Sequence, residues 1–417
     1  MHAVETTGAG SPPTVIVAGC RHGGLAILQA LGPLGVRLVA LTSDRREFGV
    51  RSRYVHEVAV CPHPRDGEAF THYLLDRAPD WQGALILDTE DSYTAVLSRS
   101  KPLLQEHYHV LAPDWPVAQQ FLEKDRTARL ADETGVPRPA TYTPASVSAM
   151  EARMDDYAFP IMLKPIHSQE FNERFGRKLF IVHDRTELRR RFADSIAASQ
   201  PVVLQEIIPG SDDGTLESME VYIDRAGDVA AESYNVKLRQ SPPMFGVMCA
   251  GRTVPVIPDV RELGLRLLRA VNYRGFASIE FKRDPRDGQP KLIEVNVRLP
   301  RNGQLLFASG VNFPHLILQD LVLHVPVEPH AERETHYVDL LPDLWNLMVR
   351  NRGQWRRPLH ALRPYTARRT TIAAFSLRDP KPFLYLVTGK LGKFTSAGQH
   401  AAAGPVVKPA PYSPGES

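Results

Sequence analysis

The sequence predicts an α/β (α+β) chain in which a parallel sheet near the N-terminus is followed by a mixed-sheet region. Three observations carry this expectation. Residues 14–18 form a short apolar, β-branched run that leads through Gly19 and Gly23-Gly24 into a helical pattern at Leu25, Leu28 and Leu31, and a second apolar run follows at 36–42. That βαβ order brings parallel strands together. From residue 216 onward strands alternate with turns instead, at 217–224, 229–237, 277–283 and 291–297. The length of 417 residues exceeds one ordinary core, so two or three domains are expected.

In chain order, a further strand is expected at 84–87, ending in the acidic cluster Asp88, Glu90 and Asp91, and another at 110–112. These complete a first domain over residues 1–115. Residues 116–135 read as one helix with Phe121, Leu122 and Leu130 on its apolar side, stopped by Gly135, Pro137 and Pro139. Strands at 159–164 and 179–182 follow, then a helix at 186–198 with Asp184 and Thr186 as candidate caps, then a strand at 202–208 ending at Pro209-Gly210. Residues 116–205 are thus expected as one subdomain. Residues 206–330, with a helix at 260–271, are expected as another. Beyond residue 330, Arg350, Arg352, Arg356, Arg357, Arg363, Arg368 and Arg369 crowd a short span. Residues 331–417 read as a basic extension whose Ala-, Pro- and Gly-rich tail is expected to be disordered.

Composition narrows the class. An apolar fraction of 43% and a charged fraction of 23% are those of a soluble globular protein. A net charge of +3 does not point to nucleic acid or to a membrane surface. Cys20, Cys61 and Cys249 lie far apart with neither zinc-site spacing nor a disulfide framework, which fits a reducing cytoplasm. Residues 1–13 lack the basic stretch and apolar core of a signal peptide, and no apolar run approaches bilayer length.

The chemistry concentrates in residues 277–298. Strand side chains alternate faces, so Ile293, Val295 and Val297 point into a core while Glu294, Asn296 and Arg298 point the other way. In the preceding strand Ile279 and Phe281 are core residues and Glu280 faces away. Asp287-Gly288 between them is a turn signal. Folding the chain there sets Glu280 nearly opposite Glu294, an arrangement that repels and destabilises a strand pair. A divalent cation removes that cost. Asn296 adds a neutral oxygen and Arg298 an anion-binding fork. An oxygen-only set suits Mg²⁺ completed by substrate phosphates. The plainer reading is a hairpin with one solvated charged face; the Glu-x-Asn-x-Arg order counts against it.

Glu280 followed by Glu294, Asn296 and Arg298 resembles the magnesium motif of the ATP-grasp superfamily, and the resemblance extends over roughly residues 14–325. The stretches Arg51-Ser52-Arg53-Tyr54 and 237–246 are similar to its carboxylate–amine ligase branch, which includes D-aspartate ligase-like enzymes. The resemblance implies an ATP-grasp fold: a Rossmann-like N-terminal domain, a lid subdomain over 116–205 and a C-terminal subdomain with the metal site over 206–330. It implies ATP and Mg²⁺, with Mn²⁺ as a substitute, held by metal ligands Glu280, Glu294 and Asn296. It implies that Lys124 and Lys164 contact the nucleotide, and that Gln205, Glu206 and Ile208 hold adenine. Asp212 matches a ribose-binding acid, with Asp213 competing. The loop 167–178 departs from the family's glycine-rich pattern with one glycine, Gly176, so Arg174, Arg177 or Lys178 would supply charge in place of a backbone nest.

The reaction so implied is phosphorylation of a carboxylate to an acyl phosphate, followed by attack of an amine, without a protein nucleophile. Arg298 would stabilise the γ-phosphate or the tetrahedral intermediate, and Lys237 and Arg239 are candidates for the γ-phosphate or the acyl phosphate. The partners implied are a small carboxylic acid and an amine of amino-acid type, with no nucleic acid. His22, Gly23-Gly24 and the acids Asp88, Glu90 and Asp91 lie at expected carboxyl ends of parallel strands, where ligands bind in open α/β sheets. The apolar residues of 383–387 and 391–394 would suit packing into a homodimer. Two rivals stand beside this reading. Gly19, Gly23, Gly24 and Asp44 imitate a dinucleotide fingerprint, although the spacing is not Gly-x-Gly-x-x-Gly. A non-catalytic ATP-binding scaffold is the other.

Overall fold

The structure, a computed structural model, describes residues 12–165, 171, 174–176, 179–210, 214–327, 332–350 and 358–397. The first sheet holds β1 (Thr14–Ala18), β2 (Arg37–Thr42), β3 (Glu57–Val60), β4 (Leu85–Asp88) and β5 (His109–Val110) in the order β3-β2-β1-β4-β5. All its neighbouring strands are parallel. Alternation along β1 sends Val15 and Val17 into one core and Ile16 and Ala18 into another, so both faces are covered. The strand order reverses between β1 and β4, which opens a crevice at their carboxyl ends.

A small antiparallel sheet follows: β6 (Thr141–Tyr142), β7 (Ile161–Pro165), β8 (Phe180–Val182) and β9 (Val202–Glu206), ordered β6-β9-β7-β8. Its own core joins Leu163, Phe171, Phe180 and Leu204 to Leu188 and Phe192 of the helix Arg185–Ala197. Asp184 caps that helix by accepting the Glu187 amide at 2.8 Å.

The third sheet holds β10 (Leu216–Ile223), β11 (Val229–Ser241), β12 (Val247–Val254), β13 (Gly275–Arg283), β14 (Pro290–Asn296), β15 (His336–Val338) and β16 (Thr370–Ile372), ordered β14-β13-β10-β11-β12-β15-β16. It is mixed, with β15 and β16 parallel. Met219, Val221, Ile279, Phe281 and Val295 pack on one face with Val260, Leu265 and Leu268 of the helix Pro258–Ala270. The period of two then turns Ser218, Glu220, Glu280, Lys282, Glu294 and Asn296 to the opposite face.

Three features differ from the sequence-based expectation. The single helix expected at 116–135 is two helices, Trp115–Leu122 and Lys124–Glu133, broken where Glu123 turns extended (φ −101°, ψ 112°). No glycine or proline marks that break. Instead the Thr127 hydroxyl donates back to the Gln120 carbonyl at 2.8 Å. Phe121, Leu130 and Ala131 of these helices belong to the core of the large sheet. Strand β12 lies in a stretch where the sequence showed no strand. Finally, the region past residue 331 supplies β15 and β16, so part of the expected basic extension is built into the large sheet. Its expected disordered tail, and Arg352, Arg356 and Arg357, lie outside the described residues.

Among the described residues no single helix is long and apolar enough to cross a membrane. The apolar pair Gly303–Ser309 and Phe313–Leu323 is sharply bent, and its Leu305, Leu306, Leu316, Ile317 and Leu318 are buried in the protein core.

Candidate nucleotide and metal cleft

The antiparallel register of β13 and β14 sets Glu280 directly opposite Glu294, and Ser278 opposite Asn296. Glu280 is buried, and Lys237 from β11 forms an ion pair with it. Burial pushes the Glu280 carboxyl up, Lys237 opposes that shift, and Glu294 adds to it. Glu294 lies open to solvent at the mouth of the cleft. Desolvation by the cleft walls works against its charge, but Lys237, the Asn296 amide, Lys164 and Arg298 outweigh it and hold the carboxyl below its ordinary range. The Asn296 amide donates to Glu294 Oε1 at 3.2 Å. Arg298 donates to Asn296 Oδ1 at 3.1 Å and to Asp91 Oδ1 at 2.6 Å. Glu294, Asn296 and Arg298 are thus one hydrogen-bonded set, with Glu280 opposite it across the strand pair.

Two lysines face this set from other elements. Lys124 opens the helix Lys124–Glu133, and Lys164 stands on β7. Burial, then the charge of Lys124, pulls the Lys164 ammonium down to about 8, against the opposing pull of Glu294 and Glu280. Burial likewise lowers Lys124, with Glu294 and Asp91 opposing. Among the described residues neither lysine forms an ion pair with a carboxylate. Lys124 is exposed and Lys164 half-buried, and two neighbouring cations repel each other until an anion joins them. Lys237 already offsets part of the repulsion between the two opposed carboxylates, and Glu294 with the Asn296 amide oxygen keeps acceptor capacity for a further cation. The donor set therefore fits a polyphosphate with a hard divalent metal.

The connection from β9 to β10 runs past this set. Gln205 donates to the Thr141 hydroxyl at 3.3 Å. The Glu206 carboxylate is committed to structure: it accepts the Ala140 amide at 3.0 Å and pairs with Arg286 at 2.5 Å. The Glu206 amide is also engaged, donating to the Ala140 carbonyl at 2.8 Å, so its backbone carbonyl is the group left for a ligand. Ile208 is buried. Lys178 and Asp212, expected to bind nucleotide, lie outside the described residues, as do Arg177 and Asp213. Arg174 is exposed.

Arg239 is corrected. It is buried, and its guanidinium grips Asp343 bidentately at 2.7 and 2.6 Å, while Tyr365 donates to the same carboxylate at 2.5 Å. A register irregularity in β11 between Lys237 and Arg239 separates the two side chains that simple alternation would keep together. Arg239 is thus a structural residue and not a candidate for the acyl phosphate.

The carboxyl ends of β1 and β4 form the other wall. The Gly24 position admits no side chain, because a Cβ there would lie 2.0 Å from the Gly19 carbonyl. Glu47 accepts the Cys20 amide at 2.7 Å and the Thr42 hydroxyl at 2.8 Å, and pairs with Arg21 at 3.1 Å. Asp88 is fully buried, and burial raises it to about 6 although Thr94 donates to it and Arg298 pulls the other way. The Leu299 amide donates to the Asp88 carbonyl at 3.2 Å, which ties this wall to the metal hairpin. Sequence reasoning singled out His22 but missed its neighbours. Arg301 donates to Asp339 at 2.8 Å and lies 3.3 Å from His22 Nε2, and the Phe48 ring packs edge-on to the imidazole at 4.9 Å. Arg301 was findable, three residues past Arg298; Asp339 is remote in sequence. Asp44, which imitates a dinucleotide fingerprint, is held by Arg46 at 2.9 Å.

No protein-family model matches the chain. D-aspartate ligase of Enterococcus faecium is 27% identical over 255 residues, which are 58% of this chain and 59% of that one. The chain therefore spans less than two thirds of that relative. Among solved structures, L-amino acid ligase from Bacillus licheniformis superposes with a TM-score of 0.58 at 16% identity, over 75% of each chain. The biotin carboxylase domain of Hydrogenobacter thermophilus 2-oxoglutarate carboxylase, in complex with MgADP, gives 0.57 at 17% identity, over 75% of this chain and 70% of that one. Likenesses of this depth in structure show the fold, which is the ATP-grasp fold, and the sequence similarity to D-aspartate ligase agrees with it.

Proposed function

We propose that the chain is an ATP-dependent carboxylate–amine ligase that forms an amide or peptide bond through an acyl phosphate and releases ADP and phosphate. One observation carries the reading: the opposed pair Glu280 and Glu294, with Asn296, faces the neighbouring lysines Lys124 and Lys164, which form no ion pair with a carboxylate among the described residues. Glu280, Glu294 and Asn296 would hold Mg²⁺ or Mn²⁺. Lys124 and Lys164 would hold the phosphates, and the backbone at Glu206 and Ile208 would meet the base. MgATP, when bound, supplies the phosphoryl group that activates the carboxylate.

The remaining work falls to positioned charge. Arg298 is braced by Asp91 and Asn296, so its remaining N–H groups have a fixed direction toward charge developing in the cleft. Lys237 is held by Glu280 and would share its charge with an incoming phosphate oxygen. Glu90, which burial raises above its usual range, and Asp91 offer an ammonium acceptor on the opposite wall. The small sheet, carrying Lys164, would act as a lid. Amide ligation is supported by the names of the relatives, a D-aspartate ligase and an L-amino acid ligase. Three free, buried cysteines suit a reducing compartment, so we place the reaction in the cytoplasm.

The test is an ADP-release screen over paired carboxylic acids and amines, with mass spectrometry of the product. The expected result is ADP release that requires both partners and matches amide formed. Tight nucleotide binding without ADP release for any pair would replace the ligase with a nucleotide-binding scaffold.

A further inference from the structure

Lys282 is a cation that the proposed chemistry leaves unused. It stands on β13 two residues beyond Glu280, so both side chains leave the same face of the sheet, toward the cleft. It is only 7% exposed. Its ammonium donates to the Ile208 carbonyl at 2.8 Å and reaches the Gly210 carbonyl at 3.4 Å. Both carbonyls belong to the connection between β9 of the small sheet and β10 of the large one. Arg286, just beyond the end of β13, grips the same connection through Glu206 and is itself held by Asp284.

A buried ammonium is costly, and an apolar side chain of equal length would fill the position without that cost. What the ammonium provides is orientation. With the Ile208 carbonyl drawn toward the ammonium, that oxygen is turned to Lys282 and offers a ligand one lone pair fewer. The edge left to a base is then the Ile208 N–H as donor and the Glu206 carbonyl as acceptor. That order complements adenine, whose N1 accepts and whose 6-amino group donates. It opposes hypoxanthine, whose N1 donates and whose O6 accepts.

We infer that Lys282 is a positioning residue that fixes the connection at Ile208 and Gly210 and so makes the cleft select adenine. The inference rests on the nucleotide reading above. It couples base recognition to the strand that carries Glu280.

Titration calorimetry of the full chain with MgADP, MgIDP and magnesium tripolyphosphate, which has no base, tests it. The wild type should prefer ADP over IDP by about tenfold or more, the worth of one well-made hydrogen bond in place of a clash. K282M should weaken ADP about tenfold, bring the ADP-to-IDP ratio toward one and leave tripolyphosphate unchanged. K282R should restore part of the ratio. Where K282M does not fold, K282Q, which keeps a donor but not the charge, is read in the same way. An unchanged ratio in the variant overturns the inference. So does an equal loss for ADP and tripolyphosphate, which would mean general disturbance. Wild-type binding of tripolyphosphate with no base preference overturns it while leaving the phosphate site standing. No binding of any of the three would remove the nucleotide reading and the inference with it.

Discussion

Lys164 keeps its proton weakly, because burial and the neighbouring Lys124 pull its ammonium down to about 8. A bound phosphate favours the charged form and reverses that pull. Affinity for MgADP should therefore be flat below pH 8 and fall by up to about tenfold per pH unit above it, as the apo lysine loses its proton. Lys164→Ala should weaken MgADP by about tenfold or more and flatten that alkaline limb, both read by titration calorimetry across pH. A limb that survives in the variant would assign it to another group. Stability carries the opposite sign. The folded value lies below the unfolded one, so the unfolded chain holds the proton more tightly, and the apo wild type gains stability relative to the variant as pH rises from about 8 toward about 10.4. At this scale the sequence was most readable where alternation alone decides position: Glu280 does stand opposite Glu294, with Asn296 on the same face. Arg239 was not readable, because its partner Asp343 is 104 residues away. Lys282 was readable and overlooked, since the period that exposes Glu280 to the cleft exposes it too.

The C-terminal elements bind the first sheet to the third. Beyond β16, Gln304 holds the Phe375 carbonyl and the Ala374 amide, both at 2.8 Å. The fully buried Asp379 accepts the Ser52 hydroxyl at 2.6 Å, the Arg53 amide at 2.9 Å and the Gln29 amide at 3.2 Å. Arg51 lies 3.7 Å over the Tyr385 ring, and Phe383, Tyr385 and Leu386 pack against Leu25 and Phe48. Asp379→Ala would leave three donors without their acceptor, at a cost of about 2–4 kcal/mol. Urea unfolding should show a lower midpoint at unchanged slope, and an unshifted midpoint would mean that this segment unfolds separately. Truncation before residue 370 removes β16 as well and should cost more than the point change. The apolar character of 383–387 was visible beforehand, but not that Phe383, Tyr385 and Leu386 pack on this chain's own Leu25 and Phe48. β15 and β16 are three residues each, too short for a periodicity to show above an arginine-rich background. The helix at 185–197 is the contrast, since its cap Asp184 and its length both stood in the sequence.

In the whole molecule one core joins the first and third sheets: Val15, Val17, Leu85 and Leu87 pack with Tyr222, Phe276 and Phe313. The small sheet keeps a separate core and brings Lys164 to the cleft from outside. Nucleotide and metal would thus be clasped between two bodies, and binding should stabilise both together. Saturation at about 100 times the dissociation constant is worth about 2.7 kcal/mol, a rise in Tm on the order of a few degrees for a chain of this size. For the wild type the rise with ADP should be larger in magnesium than in EDTA, because the metal neutralises the opposed carboxylates as well as the phosphates. Glu294→Gln separates the two contributions. Its unliganded Tm should fall slightly, since Lys237, Lys164 and Arg298 favour the charge that is removed, and the loss should be small because the position is open to solvent. Its rise with ADP in EDTA should equal or exceed that of the wild type, because a carboxylate that repels phosphate has become neutral. The magnesium increment should disappear, and ADP release with any substrate pair should disappear with it. A variant that keeps the full increment would remove Glu294 from the metal set and leave Glu280 without the partner that its register provides.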